Sequence, residues 1–564
     1  MKKDEKVIIY SVLPRLFDNR CQTRIPGGGI TDNGCGKMES FSPQALEMIR
    51  SLGTTHIWYI GMLEQATQTN YGDAGILPCH PDIVKGKAGS PYAIRDYYDI
   101  SPELATDIPN RMAEFHDLIE RTHRAGMGVI IDFVPNHVAR EYQSDAKPSG
   151  TKDLGEGDDP LLAFSPNNNF YYLPEQHLHL HLGEQSRTMS YQEEPAKATG
   201  NDRFSSHVGK EDWYETVKLN YGIDYLNGGS KHFDPIPDTW IRMRDILLFW
   251  TSKGIDGFRC DMAEMVPVEF WEWVIPQVRE KHSVLFIAEI YRPKLYESYL
   301  QAGFDYLYDK VGMYDCLRAV ICGYASASDI PRVVRQTERF ADNMLYFLEN
   351  HDEQRIASDF FAGDARKALP AVTIAATIGR NPFMLYFAQE LGERGMDTEG
   401  FSGKDGRTTI FDYWSLDKMQ RRINGGLYDT KMLSEEERVL LKSYTCLLHD
   451  VCALPSVVQG NFYDLGYANR SNPYFRPDRQ FAFLRHTSDE ILLVVANFAP
   501  FDAEIRVNIP EHAFQTMQVK DNTAFLLTDM LSGENSIGCL TQYAPYPLRL
   551  PAYGYALHRF RSLD

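Results

Sequence analysis

The sequence lacks three features that would each point to a particular class of protein. No run of about 18 apolar residues occurs, the length that a membrane-spanning helix requires, so no such segment is predicted. Basic residues are in deficit: 58 Lys and Arg stand against 77 Asp and Glu, a net charge of −19, which argues against nucleic acid or an anionic membrane as the main partner. The nine cysteines are odd in number and scattered over 564 residues, which is untypical of a disulfide framework.

The length of the chain and its N-terminal residues limit the number of domains and the cellular location that we expect. A chain of 564 residues predicts two to four domains, and an aromatic content of 12% excludes wholesale disorder. Residues 1–6 read Met-Lys-Lys-Asp-Glu-Lys and precede only a short apolar run, 7–12. Two acids and an early polar break are untypical of a signal peptide, so we expect a cytoplasmic protein.

Short apolar runs that alternate with helical patterns dominate the first 450 residues. Such runs are typical of parallel strands buried on both faces. Eight of them alternating with helices predict a closed (β/α)₈ barrel. The runs are 7–13, 56–60, 129–134, 257–261, 284–290, 304–308, 344–348 and 382–387.

The spacing between the runs predicts the domain organisation. The third and fourth runs lie more than about a hundred residues apart, although one strand–helix unit needs only about 30. We therefore predict a lobe inserted after strand three. After about residue 454 short alternating strands follow, which predict an antiparallel β-sandwich. The expected domains are a barrel (1–137 and 226–454), an inserted lobe (138–225) and a C-terminal sandwich (455–564).

Acidic residues stand at the ends of several predicted strands, where they would meet at one rim of the barrel. Catalytic groups lie at that rim in (β/α)₈ barrels. Because burying several like charges together costs energy, such a group indicates a catalytic site. The segments are Asp132-Phe-Val-Pro-Asn-His137, Gly257-Phe-Arg-Cys-Asp261, Ala288-Glu289 and Glu349-Asn-His-Asp352.

The residues beside these acids suggest two different roles for the carboxylates. Arg259 and Asp261 are two apart on a strand and point to the same side, so the cation is expected to keep Asp261 ionised, which suits a nucleophile. Glu289 has no adjacent cation in the sequence and would face the other carboxylates. Its pKa is therefore expected to be raised, which suits a proton donor. Two carboxylates so differentiated are what glycoside hydrolysis requires.

These four segments resemble the motifs of the α-amylase family, glycoside hydrolase family 13. The resemblance extends to Ser90-Pro-Tyr-Ala-Ile-Arg-Asp-Tyr97 and Val217-Lys-Leu-Asn220, and it covers about residues 7–414. It implies that Asp261 is the nucleophile, Glu289 the general acid/base and Asp352 the transition-state stabiliser. The other residues that it assigns to the site are Tyr92, His137, Arg259, His351 and Arg355 as sugar contacts, with Asp132 and Asn136 in support.

The resemblance also bears on metals, and here the sequence departs from the family pattern. Glu264-Met265 replaces the Lys-His pair that usually follows the nucleophile in the family. This replacement argues against the usual calcium link between the barrel and the inserted lobe. In Thr31-Asp-Asn-Gly-Cys-Gly-Lys37, similar to a calcium loop of the family, Lys37 replaces a carboxylate. We expect no cofactor for the chemistry, and we expect activity to survive chelation even though Asn136 remains a possible calcium ligand.

One further motif admits a metal. Residues 177–182, His-Leu-His-Leu-His-Leu, alternate with the period of a strand and place three imidazoles on one face. A zinc site and a solvated strand of the lobe are the two interpretations, of which the strand is favoured.

The combined prediction is a retaining glycoside hydrolase that cleaves α-1,4 bonds of maltodextrins or starch fragments. The alternatives within the family are a glucan transglycosylase, in which a sugar hydroxyl replaces water, and an α-1,6-acting oligoglucosidase. A non-catalytic binding partner is the alternative of another class, and the presence of all three acids argues against it. The expected partner is an α-glucan.

Overall fold

Eight parallel strands form the centre of the protein in a computed structural model that describes residues 5–183 and 191–563. In chain order the strands are β1 Ile8–Val12, β2 His56–Tyr59, β3 Gly128–Phe133, β4 Gly257–Cys260, β5 Leu285–Ala288, β6 Tyr306–Tyr308, β7 Met344–Leu345 and β8 Phe383–Tyr386. Their order in the sheet is β7-β6-β5-β4-β3-β2-β1-β8, and a parallel bridge between Tyr346 and Phe383 joins the two ends. The sheet is therefore a closed barrel, which confirms the predicted fold class.

Helices surround the barrel and cover the outer faces of its strands. Helix Arg111–Arg124 shows why: Phe115, Leu118, Ile119 and Thr122 are buried at helical spacing, whereas the opposite face is charged. The principal helices are Pro43–Arg50, Arg111–Arg124, Asp238–Thr251, Val268–Lys281, Tyr296–Gln301, Asp315–Ile321, Ile330–Gln336, Leu369–Thr377, Asp417–Ile423 and Glu435–Thr445. Within the described residues no helix has both the length and the apolar character that crossing a membrane requires.

The C-terminal region consists of antiparallel strands, which fits the predicted sandwich. Six strands form one sheet in the order Asn461–Asp464, Gln480–His486, Glu490–Asn497, Tyr555–Ser562, Ala524–Asp529 and Asn535–Cys539. Ala503–Val507 pairs with Tyr546–Leu550 in a second sheet. Leu493, Ile505 and Phe560 belong to a hydrophobic core that is separate from that of the barrel.

Between β3 and β4 the chain forms short two-stranded pairings above the rim of the barrel. His137–Ala139 pairs with Thr216–Lys218, and Tyr172–Leu173 pairs with Ala196–Lys197. His179–His181 pairs with His207–Gly209, so that the rings of His179 and His181 stack on His207 at 4.8 and 5.3 Å. The first and last residues of His179–His181 are exposed, as in a solvated strand.

A second long loop, between β2 and the helix Arg111–Arg124, carries the pair Leu63–Gln65 and Ile94–Ile100 and brings Tyr92 to the same rim. The predicted domain boundaries stay a prediction. Residues 1–4, 184–190 and 564, which they include, lie outside the described residues.

Candidate active site

A cavity of about 340 Å³ opens at the carboxyl ends of the barrel strands and contains the three predicted catalytic acids. Asp261 follows β4, Glu289 follows β5, and Asp352 lies in the loop after β7. The strands are short and buried, so the polar residues of the segments that follow them emerge at the rim. The lining residues are Lys85, Ser90, Tyr92, His137, Trp213, Glu215, Thr216, Asp261, Met262, Glu289, Tyr291, Asp352, Ile410 and Phe411.

Arg259 is the buried cation of this site, and it contacts two of the acids. Its Nη1 lies 2.7 Å from Asp261 Oδ1 and its Nη2 lies 2.7 Å from Glu289 Oε2. The strands β4 and β5 are parallel, and Arg259 pairs with Ile287. Glu289 is two residues after Ile287, so its side chain points to the same side of the sheet as that of Arg259. The expectation that Glu289 has no adjacent cation was therefore wrong: the cation comes from the neighbouring strand.

Asp261 is surrounded by more charged groups than the neighbouring residues of its own strand supply. Burial raises its pKa well above the usual range, Arg259 opposes this shift, and the charges of Glu289, Asp132 and Asp352 add to it. Arg259 thus acts in the expected direction and favours the ionised form of Asp261, whereas burial and the neighbouring acids act against it.

Glu289 is held by two hydrogen bonds and one ion pair, which come from different segments. Oε2 accepts a hydrogen bond from the backbone N–H of Met262 at 2.8 Å in addition to the contact with Arg259. Met262 has φ +45°, a left-handed conformation uncommon for a side chain of this type, which turns its N–H toward the acid. The hydroxyl of Tyr291 donates to Oε1 at 2.5 Å.

Asp352 forms a separate group with His351 and Tyr92. His351 Nε2 lies 3.0 Å from Asp352 Oδ2 and 2.7 Å from the hydroxyl of Tyr92, whose ring stacks on the imidazole. Burial disfavours the charged form of Asp352, but the contact with His351 and then the charge of Arg259 outweigh it and lower the pKa to about 2. The side chain is nevertheless 47% exposed toward the cavity, so solvent weakens these interactions.

His137 lines the cavity, and Asn136 lies behind it. The amide of Asn136 donates to His137 Nδ1 at 3.1 Å, which leaves the ring hydrogen on Nε2. Burial, followed by the ammonium groups of Lys218 and Lys85, lowers the pKa of His137 to about 3. The imidazole is thus neutral and offers a donor.

Two further predicted residues lie behind the cavity rather than in its lining. Asp132 accepts a hydrogen bond from Trp58 Nε1 at 3.1 Å and lies 3.4 Å from Arg259 Nη1. Arg355 is completely buried, where it bonds Glu349 at 2.8 Å and lies over the ring of Tyr386 at 4.0 Å. The structure therefore gives Arg355 a place in the packing beneath the rim, away from the residues that line the cavity.

Sequence reasoning missed several residues that complete the site. Tyr291 is two residues after Glu289, and its position on the rim was a usable signal. Trp213 packs on His137 at 5.2 Å between ring centroids, and Lys85 forms an ion pair with Glu215 at 2.8 Å. These contacts join loops that are far apart in the chain, so no local sequence pattern predicts them.

A larger cavity of about 600 Å³ adjoins the first one and contains none of the three acids. Neighbouring residues of three segments line one cavity or the other. Val84, Gly86, Tyr214 and Asp412 face the larger cavity, whereas Lys85, Glu215 and Phe411 face the catalytic one. Residues 84–86, 214–215 and 411–412 therefore form a shared wall.

The two calcium positions implied by the family resemblance do not fit calcium in this chain. In loop 31–37 the amide of Asn33 donates to two backbone carbonyls, and Lys37 donates to the carbonyl of Glu103. The oxygen Oδ1 of Asn136 accepts a hydrogen bond from the ammonium of Lys218. A divalent cation beside either ammonium would meet electrostatic repulsion.

Two other groups of potential ligands occur within residues 5–183 and 191–563. The exposed one consists of His116, Asp117 and Glu120, and the buried one contains Glu64, Asp96 and Asp99, with the exposed Asp145. The oxygens of Asp96 already accept hydrogen bonds from Ser144 and from three backbone N–H groups, so protein donors occupy much of that group.

Comparison with known proteins places this geometry in a family. The family model described as "Alpha amylase, catalytic domain" matches residues 12–298. Alpha-amylase 3 of Dictyoglomus thermophilum is 24% identical over 361 residues, which cover 60% of this chain and 62% of that protein. An alpha-1,4-glucan:maltose-1-phosphate maltosyltransferase of Cereibacter sphaeroides is 39% identical over 268 residues, 43% of this chain and 38% of that one. The matches thus span less than two thirds of these relatives' own lengths.

Solved structures share the fold over nearly the whole chain. The maltogenic alpha-amylase AmyB from Thermotoga neapolitana superimposes with a TM-score of 0.63 at 18% identity, covering 99% of both chains. The alpha-amylase from Geobacillus thermoleovorans, solved in complex with acarbose, gives a TM-score of 0.64 at 18% identity, covering 100% of this chain and 99% of that one. The family match, the shared fold and the acids at the barrel rim lead to one conclusion: this chain belongs to the α-amylase family, glycoside hydrolase family 13.

Proposed function

We propose that the protein is a retaining glycoside hydrolase that cleaves α-1,4 bonds of maltodextrins or starch fragments. One observation carries the proposal: Asp261, Glu289 and Asp352 line the same cavity, with Arg259 joined to two of them. The names of the relatives, which include amylases, a maltase and glucan transferases, support an α-glucan as the substrate. The predicted cytoplasmic location stays a prediction.

The contacts of the two acids divide the roles between them. Arg259 holds Asp261 Oδ1, and among the described residues no donor reaches Oδ2, which is left to attack the anomeric carbon. On Glu289, the backbone N–H of Met262 donates to Oε2 and Arg259 forms an ion pair with the same oxygen, so the mobile proton belongs on Oε1. The Tyr291 hydroxyl there can accept as well as donate.

The reaction then runs in two displacements at one carbon. Asp261 forms a bond to the anomeric carbon while Glu289 gives its proton to the departing glycosidic oxygen. Glu289 next removes a proton from water, which attacks the same carbon and releases Asp261. Asp352, His351 and the neutral imidazole of His137 would hold the sugar as positive charge develops on it, with Tyr92 stacked on the ring.

The test is the turnover of two isosteric variants on maltoheptaose. Asp261→Asn and Glu289→Gln should each lower turnover at least about a thousandfold, because both groups serve the same two-step reaction. Asp245→Asn, on a half-exposed helix position outside the cavity lining, is the matched control and should keep full activity. The role assignment fails if either active-site variant retains a tenth of the activity.

Transfer to a sugar acceptor is the second candidate, and the maltosyltransferase relative at 39% identity favours it. Both reactions use the same acids and differ in whether water or a hydroxyl attacks the intermediate. Incubation of maltoheptaose with and without glucose distinguishes them. Products longer than the substrate would assign the protein to the transferases.

A further inference from the structure

The ammonium of Lys218 bonds oxygens from three separate parts of the chain. It donates to Oδ1 of Asn136 just after β3, lies 2.7 Å from Asp202 of the inserted lobe, and lies 3.3 Å from the carbonyl of Met265 after β4. The side chain is only 2% exposed. One buried cation therefore links the lobe to two neighbouring strands of the barrel.

Local structure on both sides fixes this arrangement. Lys218 ends the strand Thr216–Lys218 and pairs with His137, so the side chain starts beside Asn136. Asp202 has φ +61°, a left-handed conformation that costs energy in a residue other than glycine. The ion pair between this residue and the buried ammonium therefore compensates for the strain in its backbone.

The bond to Asn136 determines the state of the sugar-facing histidine. An ammonium can only donate, so it must face the oxygen of the Asn136 amide. The NH₂ group is thereby directed to the carbonyl of Gly200 at 2.8 Å and to His137 Nδ1 at 3.1 Å. Nδ1 is then an acceptor, and the ring hydrogen lies on Nε2.

We propose that Lys218 is an internal cation that replaces the calcium ion implied by the family resemblance and that it positions His137 through Asn136. The three oxygens that surround the ammonium are an amide, a carboxylate and a backbone carbonyl, which are the ligand types that calcium takes. Lys218 is a positioning residue, because it acts on the site through Asn136. The part that concerns His137 rests on the proposed function, whereas the link between lobe and barrel does not.

The first experiment measures thermal stability in three variants, each treated with EDTA and then given calcium. Lys218→Met fills the space without a charge, Lys218→Ala leaves room for an ion, and Lys197→Met removes another lysine of the same lobe that has a carboxylate partner, Glu193. We expect Lys218→Met to melt at least about 5 °C below Lys197→Met, because it leaves buried polar groups without their cation. Neither EDTA nor calcium should change the melting temperature of the unmodified protein.

The response to calcium separates a cation site from ordinary packing. Millimolar calcium should restore at least half of the lost melting temperature in Lys218→Ala, where three protein oxygens and water can surround the ion, and should leave Lys218→Met unchanged. The proposal is overturned if Lys218→Met melts within 1 °C of Lys197→Met, or if calcium does not stabilise Lys218→Ala. It is also overturned if EDTA destabilises the unmodified protein and calcium reverses the loss.

The second experiment measures turnover of maltoheptaose by the same proteins. Lys218→Met should lose at least about tenfold in kcat/KM, as expected when a residue that orients a ligand-contacting histidine is removed. Calcium should restore activity to Lys218→Ala in step with its melting temperature. Full activity of Lys218→Met would refute the positioning of His137, whereas an unmodified protein without any activity would refute the proposed function and leave the stability result standing.

Discussion

Removal of the Tyr291 hydroxyl tests how Glu289, the proposed general acid, is held. The hydroxyl lies 2.5 Å from Glu289 Oε1 and is the only donor to that oxygen within the described residues. Tyr291→Phe removes this bond and keeps the ring, which lines the cavity. A hydrogen bond to a charged group contributes about 1.5–3 kcal/mol, and each 1.4 kcal/mol of transition-state stabilisation is about tenfold in rate. We therefore expect kcat/KM on maltoheptaose to fall by about 10- to 150-fold.

The control for this variant is Tyr324→Phe, because the Tyr324 side chain is 88% exposed and lies outside the cavity lining. Initial rates of reducing-sugar release are measured over a range of substrate concentrations, and the melting temperature of each variant shows whether it folds. A Tyr291→Phe protein that melts normally and keeps more than half of its kcat/KM would refute the argument that this hydroxyl positions the acid.

The remaining predictions concern metal, pH and product length. Prolonged EDTA treatment should leave turnover unchanged, and a loss that calcium alone reverses would contradict this. Burial and the neighbouring Asp96 raise the pKa of Glu64 to about 8. Its protonated form thus favours folding below its ordinary pKa of 4.5, and this contribution is lost as pH rises to about 8. Glu64→Gln should therefore raise the free energy of unfolding at pH 8.5, by up to about 4 kcal/mol, and change little at pH 4.5, whereas the exposed Glu120→Gln should show no such trend. Lys85→Ala, which removes the ion pair with Glu215 from the wall between the cavities, should shift the products of maltoheptaose toward longer chains, as product chromatography would show.

The barrel was predictable because each of its strands carries a local signal. Buried parallel strands need apolar residues on both faces, and all eight runs contain a strand. The signal is less exact where the chain is irregular: the run 344–348 contains only Met344–Leu345 as regular strand, since Tyr346 forms a single bridge to Phe383. The loop that carries Leu63–Gln65 and Ile94–Ile100 went unnoticed because its excess length is small beside that of the inserted lobe.

The sequence places the three candidate acids after strands of the barrel, but it does not record their mutual electrostatics. Asp261, Glu289 and Asp352 follow strands, and strand order alone sends them to one rim. The contact of Arg259 with Glu289 depends on the register between β4 and β5, which no single segment records. The oxygens around the Lys218 ammonium come from three separate segments of the chain, so the sequence alone does not predict its role.

The anomeric form of the first sugar released tests the central claim most directly. Proton NMR of maltoheptaose within the first minutes of reaction, before mutarotation, distinguishes the α- from the β-anomer. Two displacements at one carbon, the first by Asp261, restore the configuration, so the account predicts the α-anomer. Release of the β-anomer would mean a single displacement by water and would contradict the assignment of Asp261 as a nucleophile.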